Sequence, residues 1–254
     1  MIYLLKIIFI FFIVTNLYAR EIGETEITTE DGIEVYQNEK YYLLKKNVRI
    51  ESDNFLLQAD NVKIDFNKSL YDIVSINANG NVRFNSFELN LNGSGQSLYF
   101  EVKTENLKIE GLESKLITDD LQMYSNGYIK VNNLNGNFSL KGLNSKLINK
   151  SILVEAELID GIFLNSSNLK DITFLNTFDK KQSYVKNESS EMYAKEIKFD
   201  NNSSFIELIG DVKIIRDGEE IIGDYGTLDT KNNSYKIKSN EQKKVKAIII
   251  NNEQ

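Results

Sequence analysis

The chain has 254 residues, with 30 Lys and Arg against 37 Asp and Glu, a formal net charge of −7, and no Pro, Cys, His or Trp. Without His or Cys there is no Cys–His or Ser–His nucleophile pair, no usual zinc ligand set and no disulfide framework, so stability rests on burial and backbone pairing. An acidic chain with no clustered basic stretch is also a poor nucleic-acid binder, because affinity for nucleic acid comes mainly from neutralising phosphates.

Met1–Ala19 reads as a signal peptide. Lys6 supplies the early positive charge, Ile7–Val14 is a short apolar run, and Leu17-Tyr18-Ala19 precedes Arg20. Cleavage is expected after Ala19. The alternative is a retained membrane anchor, but Lys6 breaks the apolar stretch, which falls short of the roughly 20 residues of a spanning helix.

Beyond Arg20, apolar and polar residues alternate. Val48-Arg49-Ile50 is the first clear case, followed by Val62-Lys63-Ile64-Asp65-Phe66, Val82-Arg83-Phe84 and Phe87-Glu88-Leu89-Asn90-Leu91. Leu107-Lys108-Ile109, Ile197-Lys198-Phe199, Val212-Lys213-Ile214 and Tyr235-Lys236-Ile237 continue the pattern. A period of two puts the apolar residues on one face of a strand. Turns are expected at Asn67-Lys68-Ser69, Asn79-Gly80-Asn81, Gly93-Ser94-Gly95, Ser125-Asn126-Gly127, Asn201-Asn202-Ser203 and Asp217-Gly218. Gly93-Ser94-Gly95 lacks the third Gly and the following helix of a dinucleotide loop. The reading is all-β, with roughly 16–20 meandering strands and no helix after the signal peptide. One-faced strands need a second apolar face, so the sheets must pack together or fold over.

A unit recurs. Ala59-Asp60, a strand to Phe66, a turn, Ile73–Ala78 and then Gly80-Asn81-Val82 form one copy; Ala194-Lys195, a strand to Phe199, Phe205–Leu208 and Gly210-Asp211-Val212 form another. Residues 128–187 are strand-like without that phrase. The expected sections are 20–127, 128–186 (divergent or inserted) and 187–254.

The paired carboxylates Asp119-Asp120 and Glu219-Glu220, and those of Glu21–Glu26, are read as solvated turn or terminal groups and not as a catalytic pair; no metal or other cofactor is expected. Lys243, Lys244 and Lys246 beside Ala247–Ile250 suit either a docking edge strand or an edge protected by lysine.

On the Ala-Asp strands and the Gly-Asn-Val phrases the chain resembles the OstA-like family, the periplasmic β-jelly-roll proteins of lipopolysaccharide export. Asp31-Gly32-Ile33-Glu34 with Tyr41–Ile50, Ile221–Asp229 and Lys243–Ile250 resemble further family segments; Lys46 stands where Gly would usually precede Asn-Val. The resemblance spans about residues 27–127 and 187–250. It implies an elongated, open β-jelly roll of twisted, folded-over antiparallel sheets, and a non-enzymatic periplasmic bridge that shields the acyl chains of lipid A in an apolar groove. The implied partners are lipopolysaccharide, other export components at the inner and outer membranes, and neighbouring modules joined end to end by strand pairing. The groove candidates are Val48, Ile50, Val62, Ile64, Phe66, Val82, Phe84, Leu89, Leu91, Ile197, Phe199, Val212 and Ile214. A secreted structural β-solenoid or adhesin with a closed core, and a membrane-anchored export component of the same family, are the alternatives.

Overall fold

The computed structural model describes residues 22–69, 71–88, 90–150, 152–164, 171–216, 218–240 and 244–249. The signal-peptide reading at Met1–Ala19 and the candidates Leu89, Asp217 and Lys243 lie outside them. The described residues form eighteen antiparallel strands and no helix. In chain order the strands are β1 (Glu26–Thr28), β2 (Ile33–Tyr36), β3 (Tyr41–Glu51), β4 (Phe55–Phe66), β5 (Ile73–Ser86) and β6 (Leu91–Glu101). Next come β7 (Asn106–Glu110), β8 (Ser114–Ile117), β9 (Leu121–Ser125), β10 (Tyr128–Asn132), β11 (Asn137–Asn149) and β12 (Ile152–Phe163). The last are β13 (Ile172–Lys186), β14 (Glu191–Asp200), β15 (Phe205–Arg216), β16 (Glu219–Asp229), β17 (Ser234–Lys238) and β18 (Lys246–Ile249).

Consecutive strands pair in a meander, and nearly every long strand is interrupted at its middle by a shift in register. On β5, Gly80 and Asn81 stand against the single residue Gln96 of β6, because Asn79 pairs Ser97 and Val82 pairs Gly95. Both bulged residues are left-handed, at φ 79° and 48°. An inserted left-handed Gly gives a bulge that bends the strand. Gly210 and Asp211 on β15 repeat this geometry at φ 79° and 50°, as do Lys46 and Asn47 on β3 at 63° and 52°. Between β6 and β11 the break is complete: β7 and β8 are two halves of one strand position, and so are β9 and β10.

Apolar residues on both sides of the bends belong to one buried cluster, so the sheet folds over on itself along the line of bulges. The Gly-Asn-Val phrase is therefore a corner within a strand. Asn79-Gly80-Asn81 and Gly93-Ser94-Gly95, read from sequence as turns, lie inside β5 and β6, while Ser125-Asn126-Gly127 spans the break between β9 and β10. Conversely, Phe87, Glu88 and Asn90, read as part of a strand, form the turn between β5 and β6, with Asn90 left-handed at φ 49°. Two apolar residues at an i,i+2 spacing can flank a turn as readily as line a strand. Glu219 and Glu220, read as loop groups, open β16.

Candidate functional site

The interior is organised as apolar rows crossing the strands. On one side of the corners, register partners carry a row from Leu44 through Val62, Ala78, Leu98, Ile109, Ile129, Leu140 and Ile159 to Thr177, Ile197 and Leu208. On the other side a row runs from Ile50 through Leu57, Phe84, Gly93, Leu116, Met123, Leu147 and Val154 to Val185, Met192 and Ile214. At about 4.8 Å per strand, ten steps give each row a length of about 50 Å. The only polar side chain in either row is Thr177, whose hydroxyl oxygen accepts the Ile197 backbone N–H at 3.2 Å.

Every described groove candidate points into this interior. Their exposure is graded along the strand. Next to the corners Val48, Val62, Val82 and Val212 are almost completely enclosed by the protein's own side chains, and so is Ile197. Two to four residues further out, Ile64, Ile50 and Ile214 remain buried, and Phe66, Phe84 and Leu91 rise to 7–8 % exposed. Phe199 is only partly buried. Other residues follow the same gradient: Ile76, Phe100 and Leu107 are partly buried beyond the enclosed Ala78, Leu98 and Ile109. Phe55, Ile73 and Ile152, each the first residue of its strand, are partly buried too. The interior is thus closed at the fold and loosens toward the ends of β3–β7 and β14, whereas Phe163 and Leu121, at the ends of β12 and β9, stay fully buried. At the loosened rim Tyr42 and Phe66 meet with ring centroids 5.2 Å apart. The rim residues Tyr42, Phe55, Phe100 and Ile152 were not among the sequence candidates. Alternation places them inward, but nothing local to them marks a strand end.

The corner itself is held by polar side chains. Asn81 donates to the Asp60 carboxylate at 3.0 Å, and Lys195 pairs with Asp211 at 2.8 Å at the equivalent corner. Glu30 accepts from Asn47 at 2.6 Å and pairs with Lys46 at 3.1 Å, and these contacts hold its carboxyl below the usual range.

The outward positions also form rows. One runs Arg49, Gln58, Arg83, Ser94, Lys115, Tyr124, Lys146, Glu155, Tyr184, Tyr193 and Lys213 across successive strands. It gathers five cations against one acid in a chain of net charge −7. In sequence these cations stand mostly about 30 residues apart, so no basic cluster is visible there. Within this row Tyr193 is pushed up to about 12, by partial burial and by donating to the Glu191 carboxylate. Lys213 lies over its ring, 4.3 Å from the centroid. Among the described residues no group of three or more acidic side chains is placed to hold a metal ion.

The register ends on two open edges. β1 and β2 pair with the two halves of β3, and β17 and β18 with the two halves of β16; no further strand is registered against their other sides among the described residues. Ile33 and Val35 on β2, and Ile248 and Ile249 on β18, are exposed there.

No protein-family model matches the chain, and no curated protein matches it. Among solved structures it is similar to the crystal structure of LptH, the LptA homologous periplasmic component of the lipopolysaccharide transport device from Pseudomonas aeruginosa. The match has 12 % sequence identity and a TM-score of 0.41, and covers 51 % of this chain and 94 % of that one.

Proposed function

We propose that this protein is a periplasmic carrier that shields the acyl chains of lipopolysaccharide between its two sheet halves, and that copies or related modules join it end to end. The observation that carries this reading is the graded interior: long rows that are apolar but for Thr177, closed at the corners and bordered by half-buried aromatic residues at several strand ends. A multi-acyl lipid in water needs extended apolar cover, since each methylene transferred to such a groove is worth about 0.8 kcal/mol. Acyl chains enter at the strand ends, by displacement of Phe66, Phe84 and Phe199. Val48, Val62, Val82 and Val212 line the closed floor and serve chiefly as core. No bond is made or broken, so the role requires no catalytic group. The sides of β1–β2 and β17–β18 that no described strand pairs offer backbone donors and acceptors to a neighbour by strand addition.

The test is a photoreactive residue placed singly at Phe66, Phe84 or Phe199, with Lys63, Lys198 and Lys213 as outward controls, in cells that make lipopolysaccharide. Adducts with lipopolysaccharide at the three Phe positions and none at the Lys positions are expected. An exported, folded protein with no adduct at any position has a closed core, and the structural β-protein reading then replaces this one.

A further inference from the structure

The outward cationic row contains a cleft of about 410 Å³ on β4, β5, β6 and β8. Arg83, Ser94 and Lys115 are consecutive register partners across it, so the two cations stand two strands apart, about 10 Å between backbones. Neither Arg83 nor Lys115 makes an ion pair with another described residue, and both are exposed. The remaining polar lining is Gln58, Asn85, Asn92 and the Ser94 hydroxyl, with no carboxylate.

Two features distinguish this cleft from two other surface hollows among the described residues. The 420 Å³ cleft on the opposite face also holds two lysines, but Lys108 is paired with Glu110, and Lys130 lies 4.6 Å from the Tyr128 ring centroid. A third hollow, of about 260 Å³, is lined by Asp211 and Asp224 beside its lysines. Of these three hollows among the described residues, the one between Arg83 and Lys115 presents two cations without an ion pair and no acid in its lining. Several other surface cations are engaged by nearby acids, as in Lys63–Asp65 and Lys146–Glu155.

The chemistry of this lining is selective. A guanidinium and an ammonium together match a dianion better than a single carboxylate, and the planar guanidinium fork suits phosphate oxygens. Side-chain amides and a hydroxyl donate and accept at once, the capacity a polyhydroxy group requires. We propose that this cleft binds a phosphorylated saccharide, with Arg83 and Lys115 on the phosphate and Gln58, Asn85, Asn92 and Ser94 on sugar hydroxyls. The saccharide is either a lipid headgroup or a soluble sugar phosphate. The polar lining lies on the outward face, with Leu56, Phe84 and Gly93 completing the cleft, and the proposal does not depend on the carrier reading.

Amide chemical-shift mapping of the whole protein at low salt tests it, with glucosamine 1-phosphate, glucosamine and inorganic phosphate as soluble probes and lipid A in detergent micelles as the lipid-borne one. Saturable shifts at Arg83, Ser94 and Lys115 are expected with glucosamine 1-phosphate or lipid A. Glucosamine alone leaves these amides in place. Arg83→Gln and Lys115→Gln each weaken binding at least tenfold, with unchanged thermal midpoints. Response to both phosphorylated probes supports a headgroup site; response to the soluble one alone supports a sugar-phosphate site. Failure of both, or equal affinity for inorganic phosphate, overturns the proposal. Because the soluble probe has no acyl chain, this result is separable from the crosslinking outcome.

Discussion

The corners of the fold are built in two ways. Toward the ends of the chain a two-residue bulge, Lys46-Asn47, Gly80-Asn81 or Gly210-Asp211, is followed by an inward Val48, Val82 or Val212. In the middle section the bulges are larger: Gly142-Leu143-Asn144 on β11 and Asp179-Lys180-Lys181-Gln182 on β13. The inward residue that follows each of these is a fully buried serine, Ser145 or Ser183. Ser114 occupies the same place after the break at Gly111.

The difference is one of backbone satisfaction. A longer bulge removes more carbonyls from the ladder, and a buried carbonyl without a donor is costly. Ser114 donates to the Gly111 carbonyl at 2.8 Å and Ser145 to the Gly142 carbonyl at 2.9 Å, each reaching back three residues. Ser125 donates to the Lys141 carbonyl at 2.9 Å and Ser183 to the Lys195 carbonyl at 3.2 Å. The tight two-residue corner strands fewer such groups, and a valine can fill the space. The middle section thus keeps the bent-strand geometry of its neighbours with a different corner chemistry.

Exchanging the two chemistries breaks both corners. Val82→Ser removes apolar burial and leaves a hydroxyl beside a corner with no stranded carbonyl, costing about 3 kcal/mol; a urea midpoint within error of the parent would refute that account. Ser145→Val orphans the Gly142 carbonyl and removes one contact of the Ser125 hydroxyl, 3.1 Å away, for about 2 kcal/mol by the same measurement. Gly80 and Gly210 sharpen the comparison between the two copies of the tight corner. A methyl on Gly80 overlaps the Asp60 carboxylate that closes the corner, whereas at Gly210 it meets flexible Lys195 methylenes at 3.3 Å. Both positions have positive φ, so Gly80→Ala should cost about 2 kcal/mol and Gly210→Ala about 1 kcal/mol, and equal losses would sink the distinction.

The smallest effect has the opposite sign. Lys46 takes a left-handed conformation that Gly adopts without strain, and its ion pair with Glu30 is solvent-exposed. Lys46→Gly should stabilise by about 0.5–1 kcal/mol, raising the thermal midpoint; a lowered midpoint would mean that the Glu30 contacts outweigh the backbone strain.

Alternation along Val62–Phe66 or Val212–Ile214 placed those side chains inward correctly, because a strand has a fixed period of two whatever it packs against. The sequence could not tell a turn from a corner. Asn-Gly and Gly-Asn pairs encode left-handed backbone, and the same dihedrals reverse a chain in a hairpin or bend a strand at a bulge. Which occurs depends on whether the flanking segments pair with each other or with the same neighbouring strands. For Asn79-Gly80-Asn81 both flanks pair with β4 and β6. The rim was hidden for the same reason, since Phe55 and Phe100 are half-buried only by their distance from the fold line. So was the cationic row, which register assembles from residues far apart in sequence. The sequence by itself determined the all-β class and the inward face of its alternating strands, which are local consequences of residue type and spacing. Only the tertiary structure decided where the sheet folds, where its interior loosens and which charges share a surface, because those follow from long-range strand register.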